Sequence, residues 1–248
     1  MRRTRSAVAS ATEQISVNGV HAPIEVRRHP NARRMTLRVS RTRHAVIVTL
    51  PTQCDIGQAG NFLTSNLAWV QKHLGTLPQP VRIDHGVIIP LRGDPHRVVF
   101  CDKAERGSGV VNREHGEDGI QRLIVNGAPD SAAKRLLRWL ADQARTDLDK
   151  SVNCHARRLN LRPKKITVRD QTTRWGSCST TGALSFSWRL ILAPEFVLDY
   201  VAAHEVAHLA EMNHGPKFWA LVRKTNPRCD EAKTWLSVFG MDLHRYSA

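Results

Sequence analysis

No apolar run in this chain approaches the roughly 20 residues that a membrane-spanning helix requires, so no membrane association is expected. Cysteine is sparse. Cys54, Cys101, Cys154, Cys178 and Cys229 are odd in number, scattered, and form no Cys-x-x-Cys pair. That excludes a disulfide framework and a cysteine-ligated structural zinc, and favours a reducing, cytoplasmic setting. The Gly-rich phosphate loop of P-loop enzymes is also missing. No internal repeat is evident. The basic start, Met1-Arg2-Arg3-Thr4-Arg5-Ser6, lacks a following apolar segment, so a flexible tail over 1–13 is expected rather than a secretory signal. Acidic residues are in deficit: 22 Asp and Glu stand against 37 Lys and Arg, a net charge of +15. Such a balance suits anionic partners or a heavily solvated surface.

What is present is an ordinary globular composition, 41% hydrophobic over 248 residues, enough for one large domain or two small ones. Pro23–Val26, Arg34–Val39 and Ala45–Leu50 read as strands of a β-meander, the second alternating apolar with polar. Its turns and outer face carry Arg27, Arg28, Arg33, Arg34, Arg38, Arg41 and Arg43, a candidate docking patch for nucleic acid or nucleotide. Asp55 caps an expected helix running to about Leu74, with Trp69 packed on the meander. Short strands follow over 81–126, interrupted by a surface loop, Lys103–Asp118. A long helix is expected from about Ser131 to about Leu159, striped by Leu136, Leu137, Leu140, Ala144, Leu148 and Val152. Further strands at 165–169 and 183–188 flank a turn-rich segment, Arg174–Ser179. A helix then opens at Pro194.

That last helix carries His204-Glu205-Val206-Ala207-His208. At 3.6 residues per turn the two imidazoles lie about 40° apart around the axis and about 6 Å along it, close enough to share a metal ion. Glu205 can then serve as general base toward water on that metal. A catalytic zinc needs a third protein ligand. His214 can supply it only if the helix ends first, since continued helix would carry it about 9 Å beyond His208. Asn213 in a left-handed conformation and Gly215-Pro216 provide the expected break. The same ligand interval occurs in metzincin proteases, but Glu211 here occupies their turn glycine. Glu211 is therefore a further candidate to touch the metal or its ligands. Tyr200, one turn before His204, either borders the cleft or packs in the core. His155 and His244 read as surface residues, and Phe218 and Trp219 as the anchor of the segment bearing His214.

The run Trp175-Gly176-Ser177-Cys178, the His-Glu-x-x-His stretch, and Asn213-His214 followed by Phe218-Trp219 together resemble the YgjP-like metal-dependent hydrolases, relatives of the WLM and SprT-like zincin proteases. The resemblance is specific over about 165–220 and extends from about 15 to 245. Ser187-Trp188 stands where relatives often carry Asn-Trp, and neither this nor the 103–118 insertion touches the ligands. It implies an α+β fold: a strand-rich N-terminal part with one helix, then a minimal zincin-like domain with a backing helix, a small sheet and the His-Glu-x-x-His helix. The expected division is 14–127 and 128–248. It also implies Zn²⁺, or another divalent transition metal, on His204, His208 and His214, with Glu205 catalytic.

Trp175, Gly176, Ser177 and Tyr200 are candidate cleft residues, with Cys178 at the end of the same rim. The expected activity is hydrolysis of a protein or peptide. Two alternatives keep the site and change the substrate: a metal-dependent nucleotide phosphohydrolase holding phosphates on the basic N-terminal part, and a protease associated with nucleic acid. A non-catalytic basic module with a structural zinc is disfavoured by Glu205, for which such a site has no use.

Overall fold

The computed structural model describes residues 12–40, 44–102 and 109–248. The chain forms two compact units, Met1–Gln79 and Pro80–Ala248. In the first, β1 (Thr12–Ile15), β2 (Ile24–Arg28), β3 (Thr36–Ser40) and β4 (Ala45–Leu50) form one sheet in the order β1-β2-β4-β3. The expected meander is corrected by this order, because β2 pairs with β4 in parallel and β3 lies at the edge. Burial explains the choice. β4 is apolar at five of six positions and buried almost throughout, which suits a central strand. β3 alternates and exposes Thr36 and Arg38, which suits an edge. Thr12 and Glu13, the last residues of the expected tail, belong to β1; residues 1–11, on which the rest of that expectation falls, lie outside the described ones.

The helix expected over 55–74 is two helices, α1 (Ile56–Ser65) and α2 (Leu67–Gly75). Asp55 does cap the first: its carboxylate accepts from Gln58 N–H at 2.8 Å, and the Gln58 side chain accepts from Asp55 N–H at 3.0 Å. At Asn66 the side-chain amide donates to the Phe62 carbonyl at 2.8 Å, which supplies a local alternative to the helical bond. Leu63 and Val70 close the core over Ile24, Val26, Val46, Val48 and Leu50. Trp69, expected to pack on the sheet, is 41% exposed and stacked on His73. In the arginine patch Arg27 is paired with Glu25 and Arg28 with Glu13, while Arg33, Arg34 and Arg38 are exposed. Arg41 and Arg43 lie outside the described residues.

The second unit opens with β5 (Val81–Arg82), then β6 (Ile88–Leu91), β7 (Asp94–Cys101), β8 (Val111–His115) and β9 (Gln121–Asn126). The last four form a sheet ordered β6-β7-β9-β8, with β7 and β9 parallel, which repeats the plan of the first sheet. The loop expected over 103–118 thus contains a strand; residues 103–108 lie outside the described ones. A two-residue turn joins β6 to β7, with Arg92 at φ 54 and Gly93 at φ 89. Its left-handed pair matches the strand twist. Arg92 is held there by Asp147 at 2.8 and 3.0 Å, and a Cβ on Gly93 would come within 3.0 Å of Pro194.

Next come α3 (Ala132–Leu159), β10 (Lys165–Arg169), β11 (Gly176–Cys178), β12 (Ala183–Ser187), α4 (Glu195–Ala207), α5 (Pro216–Thr225), α6 (Cys229–Phe239) and β13 (Tyr246–Ser247). Asn160, left-handed at φ 55, ends α3. Its stripe of Leu136, Leu140, Ala144, Leu148 and Val152 is fully buried, each leucine contributing about 1.5–3 kcal/mol. Ile89, Leu91, Val98, Leu123 and Val125 of the β6–β9 sheet share that core. The compact units therefore divide at Gln79–Pro80 and not after 127, because this sheet buries its apolar face with α3. β10 and β12 are parallel, and β11 pairs antiparallel with β12 at the sheet's edge. Nine of the thirteen residues of α4 are buried, on all sides of the helix, which makes it an interior element. β13 pairs in parallel with β5.

Candidate metal centre and cleft

α4 delivers His204 and Glu205 from its last turn, and His208 is its C-cap. The helix stops here and not at Asn213, which has no left-handed φ. The final turn tightens: Leu209 N–H reaches the Val206 carbonyl at 3.0 Å and Ala210 N–H the Ala207 carbonyl at 3.1 Å. The chain then doubles back, Gly215-Pro216 starts α5, and His214 faces the end of α4. Phe218, fully buried, sets its ring 4.5 to 4.8 Å from all three imidazoles, and Trp219 stands 5.9 to 6.0 Å from His204 and His214. The anchoring role expected of this pair follows from those contacts.

One ligand-type nitrogen from each of His204, His208 and His214 lies within 4.8 Å of the other two, and Nε2 of His204 is 3.0 Å from Nε2 of His214. A tetrahedral ion with bonds of about 2.0–2.1 Å would need nitrogens about 3.3 Å apart, so the donor set has the right scale. The His208 tautomer is fixed from behind. His208 Nδ1 donates to the Glu211 carbonyl at 3.0 Å, which turns Nε2 toward the cluster. The Tyr200 hydroxyl lies 3.4 Å from Nδ1 of His204. Glu211 thus meets the site through its backbone oxygen, and its carboxylate is not part of the cluster.

Burial is the first cause of the shifts around the cluster. It drives His204 down to about 3, assisted by the neighbouring His208 and His214, and lowers His208 against the bond to Glu211. Neutral imidazoles with free lone pairs result. Burial raises the Glu205 carboxyl to about 7, with the Arg174 charge pulling the other way. A carboxyl poised near 7 can both take and return a proton. Burial also raises the Tyr200 hydroxyl and, together with the Glu205 charge, the Cys178 thiol.

An open cleft of about 490 Å³ exposes His204, Glu205, His208 and His214. Its opposite wall is β11 and the residues just before it. Gly176 and Ser177, both expected there, line it. Tyr200 and Trp175 do not: Tyr200 is buried behind His204, and Trp175 stacks on His244 at 4.8 Å. Cys178, the end of the expected rim, lines it too, and Thr173, Arg174 and Met212 line it unforeseen. The basic residue abutting Trp-Gly-Ser-Cys was the available signal for Arg174. A Cβ on Gly176 would lie 2.6 Å from Cγ and Oε1 of Glu205, so glycine lets the strand close on the carboxylate. His155, expected at the surface, is buried and bonded to Asp199 at 3.0 Å; His244 is partly buried.

Residues 33–239 match the family model described as YgjP-like, metallopeptidase domain. No curated protein matches the sequence. A solved structure, the metallopeptidase zymogen abylysin of Pyrococcus abyssi, is similar with a TM-score of 0.35 and 19% identity, covering 38% of this chain and 95% of that one.

Proposed function

We propose that this protein is a zinc peptidase whose general base is Glu205. The chain belongs to the YgjP-like metallopeptidase family, and it is a metal-dependent hydrolase. The convergence of three imidazoles beside a buried carboxyl carries the finer reading. Three nitrogen donors with no carboxylate among them suit zinc or a similar transition metal, and suit Mg²⁺ or Ca²⁺ poorly. When bound there, the ion would acidify water and polarise the scissile carbonyl.

The protein's own groups do the rest. Glu205 takes a proton from the attacking water and delivers it to the departing amine of the peptide bond. Its buried position beside Gly176 keeps the carboxyl basic enough for both transfers. His208, tied to the Glu211 carbonyl, and His204, backed by Tyr200, keep their ring orientation without substrate. β11, an edge strand of its sheet among the described residues and part of the cleft wall, offers backbone groups to an extended peptide.

Glu205→Gln keeps size and removes the base. With metal content held equal, kcat on an unfolded-protein substrate is expected to fall at least 100-fold, the order of general-base catalysis. Wild-type turnover by a metal-loaded Glu205→Gln protein would overturn the assignment.

A further inference from the structure

We propose that the outer face of the β10-β12-β11 sheet extends the candidate cleft and selects substrates with acidic side chains beside the scissile bond; this rests on the peptidase reading above. The register settles which side chains share that face. Thr167, Ser185 and Ser177 stand in one row across the three strands, and Lys165 and Arg169 flank Thr167 on the same side of β10. The alternate rows, Ile166 with Leu184 and Val168 with Phe186, turn into the core. The outer surface is therefore low and hydroxyl-bearing, with long cations along one border.

It forms a groove of about 620 Å³. Thr173, Arg174, Ser177 and Cys178 line both this groove and the cleft that exposes Glu205, so the two are continuous around the edge strand. Charge gives the groove its selectivity. Lys165, Arg169 and Arg174 are exposed, and among the described residues none of them has an ion-pair partner. The single carboxylate of the groove, Asp170, is taken by Arg189 through two bonds at 2.8 and 3.2 Å. A peptide leaving the cleft along β11 thus meets three cations outside any ion pair, of which Arg174 also feels the Glu205 carboxyl; together they attract Glu and Asp and repel Lys and Arg. Short-range hydroxyls, from Thr167, Ser177 and Ser185, can accept or donate to the peptide backbone. Continuity with a peptidase cleft favours an acidic peptide over a nucleic acid as the occupant.

The test reads binding and cleavage separately. Fluorescent peptides of one common core, flanked by Glu, Gln or Lys, are titrated into metal-loaded Glu205→Gln protein by anisotropy, and cleaved by wild type. The Glu peptide is expected to bind at least tenfold tighter than the Lys peptide, with an affinity that falls steeply with salt. Lys165→Glu/Arg169→Glu is expected to reverse that order, and the milder Lys165→Ala/Arg169→Ala pair to abolish the preference should the reversal variant fail to fold. Equal binding of the Glu and Lys peptides, or a preference unchanged in a folded variant, overturns the proposal. So does displacement of the Glu peptide by a single-stranded oligonucleotide at lower concentration than by unlabelled Glu peptide. Charge-selective binding without wild-type cleavage upholds the groove and instead overturns the peptidase reading.

Discussion

A methyl group at position 176 would stand 2.6 Å from both Cγ and Oε1 of Glu205, well inside contact distance. The backbone of β11 cannot yield without losing its pairing to β12, so the carboxylate must swing away. A displacement of about 1 Å at a catalytic group costs on the order of 100-fold in rate. Gly176→Ala is therefore expected to lose about that factor in kcat while metal content and Tm stay near wild type; unchanged kcat would mean Glu205 tolerates the shift. At this scale the sequence was legible where chemistry has a fixed spacing. His204, Glu205 and His208 follow from helical geometry, and His214 from the demand for a third donor. Thr173 and Arg174 were not legible as cleft residues, because what they face is decided by a neighbouring strand and a helix distant in sequence.

α3 and α4 are joined by more than apolar contact. Asp199 on α4 accepts from the Ser151 hydroxyl and from His155 at 3.0 Å on α3, and from the Asn226 side chain at 2.8 Å at the end of α5. Burial works to raise the Asp199 carboxyl, but the bonds from His155, Ser151 and Asn226 outweigh it and hold the group below its usual range. A carboxyl lowered on folding adds stability above its unfolded value of about 3.9, and that stability is lost as pH falls through the folded value. Asp199→Asn should cost about 1–3 kcal/mol near neutrality, with a penalty that shrinks as pH drops toward 3. Urea unfolding of both proteins over that pH range checks it; a pH-independent difference would remove the charge from the account. The long helix was legible from its stripe, and so was the strand at 165–169. The break at Asn66, the parallel pairing of β2 with β4 and the helix end at His208 were not, since each is settled by partners rather than by local pattern.

Among the described residues two hydrophobic clusters are drawn from separate stretches of chain, one ending at Leu74 and the other beginning at Ile83. A segment comprising residues 80–248 is expected to unfold in one cooperative transition when produced alone, and to bind one equivalent of zinc by calorimetry. A molten segment without a cooperative melt would show that its core needs the first 79 residues. The expected division after 127 erred because short strands look alike in sequence, and nothing local reveals that the β6–β9 sheet shares its core with α3. The family match, from 33 to 239, runs across both units.

The pairing of β13 with β5 adds a property of its own. Val81 N–H bonds the Arg245 carbonyl at 2.8 Å and Ile83 N–H the Ser247 carbonyl at 2.7 Å. The first and last strands of the second unit thus lie side by side. A body joined to the rest of a polypeptide at one seam can be grafted onto, or set within, other chains without bending its own backbone.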